Sequence, residues 1–125
     1  MIELLTIRHA PVDADGICYG QSNVPTLLDA EEVTDRIAEA VRDHRPVTIW
    51  SSDAIRCHQP AERLSGLLST PHNFDPRVRE LSYGRWDGRP WQEIPQAEVD
   101  EWNVDWLTRA PPDGETVLEL AGRVE

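Results

Sequence analysis

The sequence has few cysteines, few basic residues and no long hydrophobic run. Its 125 residues include 2 cysteines, Cys18 and Cys57, which are too few and too far apart for a disulfide framework or a metal knuckle. No stretch approaches the roughly 18 consecutive apolar residues of a membrane-spanning helix, and the apolar start is too short and too soon charged for a signal peptide. The sequence therefore predicts a cytoplasmic protein with no membrane contact and no structural metal.

Basic residues are scarce, because 12 Lys and Arg stand against 23 Asp and Glu, a formal charge of −11. A general nucleic-acid or anionic-membrane surface needs a basic face, so both functions are disfavoured. A small anionic substrate is still compatible, because a few arginines that converge in a cleft reverse the local potential. The length fits one domain over residues 1–125, and the 5 tryptophans favour a folded core.

Hydrophobic periodicity predicts strands that alternate with helices. Residues 2–7 are apolar and partly β-branched, as in a strand buried on both faces. Asp29 and Glu32 have the spacing of a capping box, and apolar residues recur at helical spacing after them. This order favours an α/β fold, a three-layer α/β/α arrangement with a mostly parallel sheet. The predicted elements are a strand over 2–7, a helix over 30–43, a strand over 47–50, a helix that contains Pro60 and Leu68, a short strand within 74–81, a helix that begins near Pro95, and a helix over 115–124.

Polar side chains follow the first two predicted strands at the point where each strand ends. Arg8 and His9 come directly after the first, and residues 51–53 with Arg56 come after the second. Ligands of an open parallel sheet bind beyond the carboxyl ends of its strands. Arginine pairs with phosphate oxygens two at a time, and a helix N-terminus adds backbone donors for the same anion. The natural occupant of this edge is therefore a phosphoryl group.

His9 is the candidate nucleophile of that edge. A neutral imidazole between two arginines can attack phosphorus, and a carboxylic acid at the cleft must then protonate the leaving alcohol. Each feature alone also has a plainer interpretation, because an Arg-His pair is usually part of a surface loop, a Ser-Ser-Asp run is usually a helix cap, and Arg56 is by default a solvated residue. The other histidines lack metal-ligand spacing and are interpreted as surface groups: His44, His58 and His72.

Four short motifs follow one another along nearly the whole chain. They are Leu-Thr-Ile-Arg-His at 5–9, a Ser-Ser pair followed by an arginine within 51–57, an acidic residue ahead of Gly-x-Trp-x-Gly within 79–88, and Pro-Asp-Gly-Glu-Thr at 112–116. In this order they resemble the motifs of the histidine phosphatase superfamily, whose members include the phosphoglycerate mutases. Residues 15–21, Asp-Gly-Ile-Cys-Tyr-Gly-Gln, are especially similar to the α-ribazole phosphatase branch, which removes a phosphate from a cobalamin precursor.

The resemblance implies a phosphoglycerate mutase-like fold and a role for several residues. His9 would accept the phosphoryl group and form a phosphohistidine that water later hydrolyses, with no metal or cofactor. Arg8 and Arg56 would hold the phosphate of a small phosphorylated metabolite. Glu80 would be the proton donor. Three residues would lie near the substrate entrance: Tyr19, Gly20 and Gln21.

The sequence departs from the family pattern in the first motif and at the C-terminus. Ala10 replaces the family glycine after the nucleophile, and Pro11-Val12 replaces Glu-Thr. The family's second catalytic histidine lies on a strand after the helix that opens near Glu115, whereas this sequence stops at Glu125. We therefore expect a domain that lacks its C-terminal strand region and exposes an apolar sheet edge, which a homodimer would cover. Two functions are compatible with this pattern: hydrolysis of a small phosphate ester such as α-ribazole phosphate, or a non-catalytic, phosphate-binding remnant of the same family.

Overall fold

Two short strands pair in parallel in a computed structural model that describes residues 1–125. Strand β1 (Ile49–Ser51) lies beside strand β2 (His72–Phe74), and helix α2 (Ile55–Leu68) connects them. A parallel pair needs such a crossover, and α2 packs against both strands. A parallel sheet with helices packed on it confirms the predicted α/β class. The remaining elements are α1 (Ala30–Val41), α3 (Gln96–Val104), α4 (Val117–Val124) and three 3-10 turns at Pro76–Val78, Gly84–Trp86 and Trp91–Glu93.

Helix α1 begins where the sequence predicts. The side chain of Asp29 accepts a hydrogen bond from the backbone N–H of Glu32 at 2.8 Å, which satisfies one of the free donors of the first turn. Val33 and Val41 are buried, and the helix packs on α2. The helix ends at Val41, close to the predicted boundary at residue 43.

Helix α2 contains Pro60 and ends at Leu68, as the sequence predicts, and it begins five residues before the proline. Pro60 has no N–H to donate to the carbonyl one turn earlier in the helix. Its own carbonyl oxygen faces α1 and lies 3.5 Å from the buried hydroxyl of Thr34. The cap of α2 differs from the prediction. Its N-cap residue is Ala54, which has no side chain for capping, and the backbone N–H of Ile55 donates instead to Asn23 Oδ1 at 3.0 Å.

The first predicted strand, over residues 2–7, is not formed. This segment has no strand assignment and takes part in no backbone hydrogen bond, and Ile2 and Leu4 are 96% and 82% exposed. A strand exists only through a ladder partner, and β1 and β2 pair with each other alone. The segment makes a hydrogen bond between Glu3 and His44 and lies along one side of α1.

The core lies around Trp86, which is 1% exposed. Cys18 and Ile94 are buried against it, Trp102 packs on it edge to face, and Tyr83 packs edge to face on Trp102. The indole N–H of Trp86 donates to Glu98 at 2.9 Å, so the one polar atom of this side chain has a partner.

The two C-terminal helices agree with the predicted positions. Helix α3 begins after Pro95, and α4 begins after Thr116. Thr116 and Glu119 form a complete capping box, in which each side chain accepts from the other residue's backbone N–H. None of the helices combines the length and apolar character that crossing a bilayer requires.

Candidate active site

Arg56 is the one charged residue among the buried residues, with 4% of its surface exposed. It lies in the first turn of α2, and its Nη1 and Nη2 donate to the carbonyls of Ser22 at 2.8 Å and Gly20 at 2.5 Å. Its Nε is buried and has no partner, and no carboxylate pairs with the guanidinium. Because a buried charge is costly without a counter-charge, this guanidinium favours a nearby anion.

His9 and Arg56 both lie against the ring of Tyr19. The His9 and Tyr19 ring centroids are 6.4 Å apart, and the guanidinium carbon of Arg56 is 5.2 Å from the Tyr19 centroid. His9 Nδ1 lies 2.7 Å from the carbonyl oxygen of Ala10. Since a carbonyl can only accept, the hydrogen sits on Nδ1, and the neutral ring keeps a lone pair on Nε2. That is the protonation pattern required of a nitrogen nucleophile.

Arg8 lies outside this group. Its side chain is exposed and forms neither a hydrogen bond nor an ion pair with another residue. The structure therefore brings together His9, Tyr19 and Arg56. Arg8 is near them only because it precedes His9 in the chain.

Glu80 borders a polar cavity of about 120 Å³ whose other wall is the turn that contains Gly20 and Gln21. Two carboxyl groups line this cavity, those of Glu80 and Asp53. The Arg79 guanidinium binds both oxygens of Asp53 and holds the pKa of that carboxyl below its usual value. Asp53 is therefore held as a carboxylate, whereas the Glu80 carboxyl forms no ion pair and accepts from the backbone N–H of Leu81 at 2.7 Å.

The backbone at Glu80 is fixed from the C-terminal helix. Arg123 in α4 donates to the carbonyls of Arg79 at 2.8 Å and Glu80 at 2.9 Å. Arg123 also pairs with Glu115, whose carboxylate accepts from the backbone N–H of Ser82 at 2.9 Å. The fourth motif thus supports the third, because its Glu115 anchors the chain directly after Glu80.

The side chain of Asp87 is a site component that the sequence did not reveal. Its two carboxylate oxygens accept four hydrogen bonds from the turn at residues 20–22. The contact joins residues more than 60 positions apart, so no local pattern indicated it. Asn23 was missed for the same reason, because it caps a helix that begins 32 positions later.

Two histidines interpreted as surface groups are half-buried. The rings of His58 and His72 are 5.4 Å apart, and His72 Nε2 lies 2.9 Å from Ser51 Oγ. Burial, together with the neighbouring His58, lowers the pKa of His72. The parallel pairing of β1 with β2 sets His72 opposite Ile49, two positions before Ser51 in β1, so the imidazole reaches the Ser51 hydroxyl diagonally. No group of three or more His, Cys, Asp or Glu side chains is arranged to hold a metal ion.

A family model of the histidine phosphatase superfamily (branch 1) matches residues 4–125. A probable phosphoglycerate mutase GpmB of Yersinia enterocolitica is 27% identical over 130 residues, which cover 99% of this chain and 60% of that protein. The corresponding protein of Enterobacter sp. (strain 638) is 28% identical over 131 residues, covering 100% of this chain and 60% of that protein. The chain thus spans about 60% of the length of the curated relatives it matches.

Solved structures show the same fold. A mycobacterial glucosyl-3-phosphoglycerate phosphatase superposes with a TM-score of 0.78 and 26% identity, over 92% of this chain and 56% of that one. The α-ribazole phosphatase of Shigella flexneri superposes with a TM-score of 0.81 and 23% identity, over 94% of this chain and 61% of that one. The arrangement of helices around the parallel sheet is therefore shared with phosphatases of known structure.

Proposed function

Because this chain belongs to the histidine phosphatase superfamily (branch 1), we propose that it hydrolyses small phosphate monoesters through a phosphohistidine at His9. The observation that carries the proposal is the shared contact of His9 and Arg56 with Tyr19. It places a nitrogen with a free lone pair and a buried guanidinium without a counter-charge on one aromatic ring. This combination suits a dianion held for attack at phosphorus.

The reaction has two steps. In the first, His9 Nε2 attacks phosphorus, the bond from phosphorus to the ester oxygen breaks, and Glu80 gives its proton to the departing alcohol. In the second, water attacks the phosphohistidine, the phosphorus–nitrogen bond breaks, and the Glu80 carboxylate takes the proton from water. Arg56, joined by Arg8, would hold the non-bridging oxygens in both steps.

We propose α-ribazole phosphate as a substrate, with phosphoglycerates as the alternative. Residues 15–21 support the first, since they resemble the α-ribazole phosphatase branch, and the Shigella flexneri enzyme has the same fold. The mycobacterial phosphatase and the probable mutases support the second. Tyr19, Gly20 and Gln21 would meet the organic part of either ester, because they lie between Arg56 and the cavity bordered by Glu80.

Hydrolysis of 4-nitrophenyl phosphate tests the activity, with His9→Ala as the diagnostic variant. We expect turnover by the unmodified chain, a loss of at least about 1,000-fold in His9→Ala, and an acid-labile phosphate on the unmodified chain that His9→Ala lacks. Glu39→Ala is the control, since Glu39 is exposed on α1 and its side chain has no hydrogen-bond or ion-pair partner. Absence of turnover, or a His9→Ala variant as active as Glu39→Ala, would overturn the proposal.

The second candidate function is phosphate binding without hydrolysis. It is favoured by the isolation of Arg8, whose exposed side chain forms no hydrogen bond or ion pair that would hold it beside His9 and Arg56. Calorimetric titration with inorganic phosphate separates the two functions. Binding that requires Arg56 in a protein with no turnover supports the second candidate.

We further propose a cytoplasmic location and a homodimer. The first is supported by two cysteines that are both free, as expected in a reducing compartment. The second is supported by the exposed apolar side chains of the N-terminal segment and of Trp50 in β1. A single species at the monomer mass in sedimentation velocity would exclude the dimer.

A further inference from the structure

The carboxylate of Asp87 is fully occupied by one short turn. Its Oδ1 accepts from the backbone N–H of Gly20 at 3.2 Å and from the Ser22 hydroxyl at 2.6 Å. Its Oδ2 accepts from the backbone N–H of Gln21 at 2.9 Å and of Ser22 at 3.3 Å. No cation pairs with Asp87, so these four charge-assisted bonds are its whole set of polar contacts.

The same turn directs its carbonyls at Arg56. The carbonyls of Gly20 and Ser22 accept from the two terminal nitrogens of this guanidinium. The turn is also confined on its other side, because a Cβ added at Gly20 would lie 2.1 Å from the carbonyl oxygen of Leu81. Asp87 thus binds the backbone N–H groups of the turn at residues 20–22, and the carbonyls of the same turn bind the buried guanidinium of Arg56.

A purely structural role for Asp87, as a tie between two chain segments, does not explain this arrangement. The segments are already joined by three backbone hydrogen bonds that do not involve the Asp87 side chain. They link Cys18 N–H to Arg89 C=O at 2.8 Å, Gly88 N–H to Cys18 C=O at 2.7 Å, and Trp91 N–H to Gly16 C=O at 2.9 Å. What the carboxylate adds is a partner for the three backbone N–H groups of the turn at 20–22.

We propose that Asp87 is a positioning residue that fixes the phosphate-holding guanidinium of Arg56 through the turn at residues 20–22. The proposal rests on the proposed function only in assigning phosphate to Arg56. Asp87 itself touches neither the substrate nor the reacting atoms. Through the turn, Asp87 keeps the Arg56 guanidinium in one orientation in the folded chain, so that it is already in place before the anion binds.

Asp87→Asn is the diagnostic variant, because the amide keeps the shape but turns an NH₂ group toward two of the four donors. We expect kcat/KM for 4-nitrophenyl phosphate to fall about 10- to 100-fold. Ser22→Ala removes only the hydroxyl bond and should cost about 3- to 10-fold. Asp35→Asn is the matched control: the same change of charge at an exposed position of α1, with no expected effect.

A double-mutant cycle distinguishes positioning from general stabilisation. Lysine lacks the planar guanidinium that the turn orients. In an Arg56→Lys background, Asp87→Asn should therefore lower kcat/KM by less than about threefold further. If Asp87→Asn costs as much in that background as in the unmodified chain, it does not act through Arg56 and the proposal is overturned. That result would leave the proposed function standing.

An NMR measurement tests the same inference without catalysis. The Nε–H signal of Arg56 should shift or broaden in Asp87→Asn, and the amides of Gln21 and Ser22 should exchange faster with solvent, while Asp35→Asn leaves both unchanged. An inert wild-type chain that shows these changes would refute the proposed function and support the positioning. Unchanged Arg56 and amide signals would overturn the positioning. If Asp87→Asn does not fold, Ser22→Ala carries both measurements.

Discussion

Two regions contribute to the candidate site, and they are held in very different ways. The amino-terminal segment, residues 1–10, contains His9 and Arg8 but takes part in no backbone hydrogen bond. The Trp86 region, residues 16–22 and 84–91, is cross-linked by backbone bonds, by the Asp87 carboxylate and by a buried tryptophan. The difference shows that the turn that binds the Arg56 guanidinium is built into the fold, whereas His9, the proposed nucleophile, contacts this region through Tyr19.

The largest expected effect comes from breaking the Trp86 region. Trp86→Ala removes a side chain that is 1% exposed and should lower the free energy of unfolding by about 3–5 kcal/mol, measured by urea denaturation. Trp50→Ala is the matched control, because Trp50 is 59% exposed and should cost far less. Equal losses in the two variants would show that the Trp86 region is not the main stabilising unit.

A smaller loss is expected at the junction between the Trp86 region and the fourth motif. Gly84 has a φ of +54°, and a Cβ there would lie 2.1 Å from the carbonyl oxygen of Pro112. Gly84→Ala should therefore destabilise the protein by about 1–3 kcal/mol in urea denaturation. Gly66→Ala in α2 is the control, since nothing lies within 4 Å of its Cβ position. There alanine should stabilise the helix slightly, and a gain at Gly84 would contradict the packing described here.

The Glu115–Arg123 pair gives the same junction a pH dependence. Arg123 holds the pKa of the Glu115 carboxyl below its usual value of about 4.5. A depressed folded-state pKa adds stability above the usual pKa, and that stability is lost as the pH falls through the folded-state value. Thermal unfolding should therefore show less loss between pH 5 and pH 3 in Glu115→Gln than in the unmodified chain, after correction with Glu39→Gln, whose exposed side chain has no partner. Identical pH profiles for Glu115→Gln and Glu39→Gln would exclude this contribution.

The smallest effect is expected in the amino-terminal segment. Leu4 is 82% exposed, so Leu4→Ala should change the free energy of unfolding by less than about 0.5 kcal/mol. Leu81→Ala, at a position that is 5% exposed, should cost about 2–5 kcal/mol in the same assay. A large loss in Leu4→Ala would mean that the amino-terminal segment is packed in solution, and the contrast between the regions would disappear.

The sequence predicted what depends on local chemistry. Asp29 as the cap of α1 and the starts of α3 near Pro95 and of α4 near Glu115 all follow from residues close together in the chain. The third strand was predicted within residues 74–81, whereas β2 lies at His72–Phe74. The family also followed from the sequence, because four short motifs occur in order.

What the sequence could not predict depends on distant partners. Apolar character alone indicated a strand over residues 2–7, but a strand needs a ladder neighbour, and none pairs with it. Asn23 caps α2, and Asp87 binds the turn at 20–22, across separations that periodicity does not reach. Local chemistry did not single out a proton donor among 23 acidic residues, so Glu80 came only from the family resemblance and its role stays a prediction. The structure adds that Asp53, the other acidic residue at the same cavity, pairs with Arg79.

The thiol of Cys18 can report on opening of the core around Trp86. It is fully buried beside Trp86, and burial, with the nearby Asp87 carboxylate, raises its pKa to about 11. The thiolate is the form that attacks alkylating reagents, so Cys18 reacts only in molecules whose core has opened. The partly exposed Cys57 lies in helix α2 and reports separately. The rate of Cys18 alkylation, measured by mass spectrometry, thus reports how often the core around Trp86 opens, and the measurement needs no added label.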